Sequence, residues 1–178
     1  MTSFVYFAYG SNMLRERLTA RCPSARSIGE AAAPDHRIAF TKPSFDGSGK
    51  ATLVRAPGET AHGVLFEIAK DERDNLRRFE GDGYRCREGF LVRAVGEDSL
   101  REVATCLAVE TKDSLRPYDW YRALVVAGAL QHALPEHHVA ALRAVAATPD
   151  PKPRRPARLA ALDALERAGF AHLLETKL

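Results

Sequence analysis

Cysteine is scarce in this 178-residue chain: Cys22, Cys86 and Cys106 stand far apart, with no Cys-x-x-Cys pair. An odd, dispersed set gives no basis for a disulfide framework or a clustered zinc site, and it points to a reducing, cytoplasmic setting. Long apolar runs are missing as well. None approaches the roughly 20 residues of a membrane-spanning helix, and the stretch Met1 to Gly10 lacks the basic flank of a secretory leader, so no membrane association is expected. A large excess of one charge is also absent. The net is +3, and Lys152, Arg154, Arg155 and Arg158 against Asp150 carry the whole surplus. The rest of the chain is neutral, so no nucleic-acid partner is expected.

What is present suits a single folded unit, because 46% hydrophobic residues suffice to close one core at this length. The first 110 residues show short apolar runs bounded by Gly, Pro, Asn and Asp, which predict strands at 4–9, 27–31, 37–41, 51–55, 62–68, 90–95 and 103–109. Helices are expected at 13–19 and 70–80. After residue 115 the period becomes helical, at 118–132, 135–146 and 159–174. The fold class is therefore α+β, with a mixed, largely antiparallel, barrel-like sheet, flanking helices and an extra C-terminal helix. The expected divisions are a domain over 1–147, a solvated Pro/Arg-rich linker over 148–158, and a helix over 159–178. That helix must cover an apolar face, on the domain or in a homodimer.

Two motifs carry chemistry. In Tyr6-Phe7-Ala8-Tyr9-Gly10-Ser11-Asn12 a strand runs into a turn that opens a helix. Gly10 permits unusual backbone angles, and the free N–H groups of the turn form a site for a carboxylate or an oxyanion. In Leu76-Arg-Arg-Phe79-Glu80-Gly81-Asp-Gly83-Tyr84, Leu76 and Phe79 are expected to face the core, and Gly81 ends the helix at Glu80. A carboxylate at a helix C-terminus opposes the macrodipole, which raises its proton affinity and suits it to act as a general base. Other signals fail. Gly47-Ser-Gly-Lys50 has the wrong spacing for a phosphate loop, adjacent His137 and His138 point to different helix faces and make no metal pair, and Ser11 lacks a nucleophile elbow.

Taken in order, these two motifs together with Asp119-Trp120-Tyr121, Gly49-Lys-Ala-Thr-Leu53 and Gly63-Val-Leu-Phe66 resemble the γ-glutamylcyclotransferases over residues 4 to 147. The resemblance implies cofactor-free, metal-free cleavage of a small γ-glutamyl amide or dipeptide. The substrate's own α-amino group attacks its γ-carbonyl, giving 5-oxoproline and a free amine or amino acid. It implies Glu80 as the proton acceptor. It further implies Tyr6, Phe7, Ala8, Tyr9, Gly10, Ser11, Asn12 and Tyr121 as substrate-binding residues. Two alternatives share the fold: a relative acting on a larger γ-glutamyl metabolite, and a non-enzymatic carboxylate-binding module. Where relatives carry an additional tyrosine before the Asp-Trp-Tyr helix, this chain has Glu110-Thr-Lys-Asp-Ser-Leu-Arg116, which leaves the leaving group open. Arg85, Arg87, Lys112 and Arg116 are candidates to meet a substrate carboxylate.

Overall fold

Two long strands form the frame of the computed structural model, which describes residues 2–174. They are β2 (Arg26–Pro43) and β3 (Gly49–Ala69), antiparallel partners from Arg26↔Glu67 to Pro43↔Gly49. Each absorbs two of the short strands expected from the pattern. The reason is that Pro34, Asp35 and Gly58 act as irregularities rather than turns: the register shifts between Pro34 and His36, and the Asp35 carboxylate accepts the Gly58 N–H at 2.9 Å. With β1 (Ser3–Ala8), β4 (Tyr84–Ala94) and β5 (Arg101–Ala108) they make a closed barrel in the order β1-β3-β2-β4-β5. Closure is the parallel pairing of β1 with β5 at Tyr6↔Ala104, and all other pairs are antiparallel. The α+β barrel read from the pattern is thus the observed architecture. Phe7, Val64, Phe66 and Val92 are wholly buried, each contributing about 1.5–3 kcal/mol by burial.

The helices are α1 (Arg15–Thr19), α2 (Arg73–Glu80), α3 (Asp119–Gln131), α4 (Glu136–Ala144) and α5 (Pro156–Arg167). Helix α3 is buried from Trp120 to Ala129 except at Arg122, and it packs against α4, α5 and the turn that follows β1. That turn comes close because of Gly128, where a Cβ would lie 2.6 Å from Met13 Cβ and 2.7 Å from Leu14 N. The absence of a side chain there seats the turn on the helix.

Three expectations need correction. Cys86 and Cys106 are joined as a disulfide, because the β4–β5 register sets them directly opposite each other, while Cys22 is free and buried. The Pro/Arg-rich segment is anchored rather than merely solvated: the enclosed Asp150 carboxylate accepts from Trp120 Nε1 (3.0 Å), Arg155 Nε (2.8 Å) and the Lys152 N–H (2.8 Å). The last helix begins at Pro156, three residues earlier than expected, with proline in its first turn, where no N–H partner is lost. It buries Ala161, Ala164 and Leu165 against α3 and α1, whereas Leu159 is 49% exposed. It stops before Gly169, which adopts φ +79°, and a 3₁₀ turn (Ala171–Leu174) follows. The end of the expected helix, residues 175–178, lies outside the described residues. No helix among the described residues is long and apolar enough to cross a membrane.

Candidate active site

The segment after β1 forms a 3₁₀ turn (Ser11–Met13) before α1, with Leu14 extended between them, instead of the continuous helix expected over 13–19. Met13 N–H closes onto Gly10 O at 3.0 Å and Leu14 N–H onto Ser11 O at 3.4 Å. The N–H groups of Ser11 and Asn12 donate to no other described residue. Gly10 has φ −112° and ψ −146°, outside the β and α regions, and its missing side chain also leaves space. A Cβ there would lie 3.2 Å from Ala51 Cβ and 3.6 Å from the Tyr121 hydroxyl.

Glu80 is the last residue of α2, and Gly81, at φ +70°, ends the helix with its N–H on Arg77 O at 3.0 Å. Leu76 anchors the helix in the core. Phe79 does not face the core as expected: it is 51% exposed, with the Arg21 guanidinium 5.2 Å from its ring centre. The reversal aims Glu80 at the turn. Asn12 Nδ2 donates to Glu80 Oε1 at 2.6 Å and reaches the Tyr6 hydroxyl at 3.3 Å. Arg21 in turn donates to Asn12 Oδ1 at 2.8 Å, and Arg17 Nε donates to Ser11 Oγ at 3.1 Å.

Burial raises the Glu80 carboxyl above the ordinary carboxylate range, against the opposing pull of Arg21, Arg17, the Asn12 amide and Lys42. Its carboxyl is enclosed even though the residue as a whole is only half-buried. Burial likewise raises Tyr6, Tyr9, Tyr84 and Tyr121, so all four phenols stay protonated at neutral pH and remain donors.

One cavity of about 30 Å³ is lined by Tyr6, Tyr9, Gly10, Ser11, Asn12, Glu80 and Tyr121, together with Ala51, Tyr84 and Cys106. Phe7 and Ala8, expected beside them, belong to the core, with Phe7 stacked on Phe90 at 6.3 Å. Tyr84 closes the second motif, where its place after Gly83 was a usable signal. Ala51 carried none, since it contributes through its backbone: its N–H donates to the Tyr121 hydroxyl at 3.1 Å and its carbonyl accepts from the Tyr84 hydroxyl at 2.6 Å. The Tyr9 hydroxyl donates to the Cys106 carbonyl. Arg85, Arg87, Lys112 and Arg116 do not line this cavity; the nearby cations are Arg17, Arg21 and Lys42. The arrangement offers two free backbone donors, one carboxylate with raised proton affinity, and an excess of positive charge.

A family model described as "Gamma-glutamyl cyclotransferase, AIG2-like" matches residues 6–123. The gamma-glutamylcyclotransferase of Bos taurus is 32% identical over 143 residues, covering 75% of this chain and 73% of that protein. The Homo sapiens gamma-glutamylcyclotransferase is 28% identical over 149 residues, 80% of this chain and 79% of that one. A solved structure titled "Gamma-glutamyl cyclotransferase" superposes with a TM-score of 0.82 at 25% identity, over 93% of this chain and 99% of that chain.

Proposed function

Because the chain belongs to the gamma-glutamyl cyclotransferase, AIG2-like family, we propose that it is a γ-glutamylcyclotransferase working through the Gly10–Asn12 turn and Glu80. The substrate is a small γ-glutamyl amide or dipeptide. The observation that carries the assignment is the 2.6 Å bond from Asn12 to Glu80, which joins the free donors of the turn to a carboxylate 68 residues away in one cavity.

An ammonium cannot attack a carbonyl, so the α-amino group must first lose a proton, and Glu80 accepts it. The freed amine attacks the γ-carbonyl of the same molecule and closes a five-membered ring. Holding the glutamyl chain folded in a tyrosine-walled cavity turns this into an oriented intramolecular reaction. Charge develops on the carbonyl oxygen, and the Ser11 and Asn12 N–H groups meet it as fixed donors. Collapse of the intermediate breaks the C–N bond as Glu80 returns its proton to the departing nitrogen, and the ring nitrogen gives up its second proton, through Glu80 or solvent, to the amine that leaves. The products are 5-oxoproline and an amine or amino acid. Nucleophile and electrophile sit on one substrate, so this chain's side chains need only position it and relay protons from the attacking to the departing nitrogen.

The test is to incubate the protein with a panel of γ-glutamyl amino acids and γ-glutamyl amines and to measure 5-oxoproline. Turnover of at least one class is expected. Absence of 5-oxoproline across the panel would sink the enzyme reading.

A further inference from the structure

Two lysines in unequal situations lie against tyrosines that line the cavity. Lys42 of β2 and Lys50 of β3 are register partners, so two like charges stand side by side. Lys50 is matched: its Nζ donates to Asp46 Oδ2 and Ser48 Oγ, both at 2.8 Å, and lies 4.5 Å from the Trp120 and 4.6 Å from the Tyr121 ring centre. Lys42 is not. It is 8% exposed and its Nζ lies 5.0 Å from the ring centre of Tyr84, yet among the described residues it makes no hydrogen bond or ion pair. Its Nζ nonetheless keeps contact with solvent, unlike the sealed Thr41 Oγ1 and His138 Nε2. It packs against the bare backbone of Gly83, where a Cβ would lie 2.6 Å from Nζ and 2.3 Å from Cε, contacts that the flexible end of the lysine could relieve by shifting. An ammonium so little exposed and without a protein partner among the described residues keeps only part of its solvation, and an arriving anion would offset that loss.

We propose that Lys42 is a specificity-determining residue that receives the carboxylate of the leaving amino acid. The inference rests on the cyclotransferase reading and names what that reading leaves open. The cavity, about 30 Å³, is far smaller than the roughly 300–1,000 Å³ of sites that enclose a drug-sized ligand, so the leaving group must extend past Tyr84. Tyr84 is a wall shared by the cavity and Lys42. Charge favours the same occupant. Arg17, Arg21 and Lys42 face the single carboxylate of Glu80, and Asp46 is already taken by Lys50. A γ-glutamyl amino acid brings two carboxylates to this surplus, whereas a γ-glutamyl amine brings one.

The experiment compares γ-glutamyl-alanine with γ-glutamyl-ethylamide, which differ only by that carboxylate, in the native protein, Lys42→Met and Lys42→Arg. The native ratio of kcat/KM should favour the alanine compound, Lys42→Met should lower the ratio about 10- to 100-fold, and Lys42→Arg should retain part of it. A ratio within twofold of native in Lys42→Met overturns the proposal, as do equal losses on both substrates, which would place Lys42 at the α-carboxylate or on Glu80. Lys42→Gln serves in place of any variant that fails to melt cooperatively. Calorimetric binding of both compounds, with and without Lys42→Met in a Glu80→Gln background, separates this inference from the reaction itself. A carboxylate-dependent difference in Kd that disappears with Lys42 upholds the inference even if nothing is turned over, and equal binding of the two compounds refutes it.

Discussion

Replacing Glu80 by Gln removes a proton acceptor while keeping the shape of the site. The amide oxygen can still accept the Asn12 Nδ2 hydrogen bond, now 2.6 Å long, so the turn and the end of α2 stay joined. What is lost is general-base catalysis, worth about 10²- to 10⁴-fold, or about 3–5.5 kcal/mol of barrier. Stability should move the other way. Burial raises the Glu80 carboxyl above its unfolded value of 4.5, so the folded protein holds this proton more tightly than the unfolded chain does. The stability from that preference is complete below the unfolded pKa and is lost as pH rises through the raised folded value. Once ionised, the enclosed Glu80 therefore destabilises the fold, and a residue that cannot ionise relieves it. Glu80→Gln should melt no lower than the native protein at pH 7 while forming 5-oxoproline at least 100-fold more slowly. In the native protein kcat/KM should fall as pH drops through the raised Glu80 pKa. A folded Glu80→Gln protein that keeps more than a tenth of native kcat/KM, or melts well below native, would refute the reasoning.

Gly128→Ala places a methyl group against Met13 and Leu14 and should push the site turn off α3, reducing 5-oxoproline formation and lowering Tm together. The rings of His137 and His138 both reach His62, at 5.4 and 5.2 Å, although adjacent residues were expected to point apart. Burial lowers His138 to about 4, so the unfolded chain takes this proton first and stability should fall between about pH 6.5 and 4. The loss is about 2 kcal/mol after allowance for solvent near the ring, and His138→Leu should flatten it in denaturant titrations across that range. Reducing Cys86–Cys106 frees a loop with a sequence separation of 20, which should cost up to about 3 kcal/mol in denaturant titrations run with and without reductant. Asp150→Ala removes the acceptor shared by Trp120, Arg155 and Lys152, and should release the strap to limited proteolysis before the barrel unfolds.

Much of the site was legible because its parts are local. A strand running into Gly10-Ser11-Asn12 and a helix stopping at Glu80 before Gly81 follow from neighbouring residues, through the missing Cβ of glycine and the unpaired groups at a turn or helix end. Expectations about which way single side chains face were less secure. Phe79 has helical spacing from Leu76, yet it lies outside under Arg21. Phe7 and Ala8 sit in the right motif but belong to the core, and only the packed barrel shows which residues of the motif meet the cavity.

By itself, the sequence determined the order and kind of elements, the turn, the helix end and the absence of any large charge excess outside one proline-rich strap. Only the tertiary structure decided what those elements meet. Asn12 reaches Glu80 across 68 residues, Cys86 faces Cys106, and Lys42 lies beside Tyr84 with no ion pair among the described residues. Each of these depends on strand register and barrel closure. Those are set by how the whole hydrophobic surface is buried at once, and no local window of the chain contains that information.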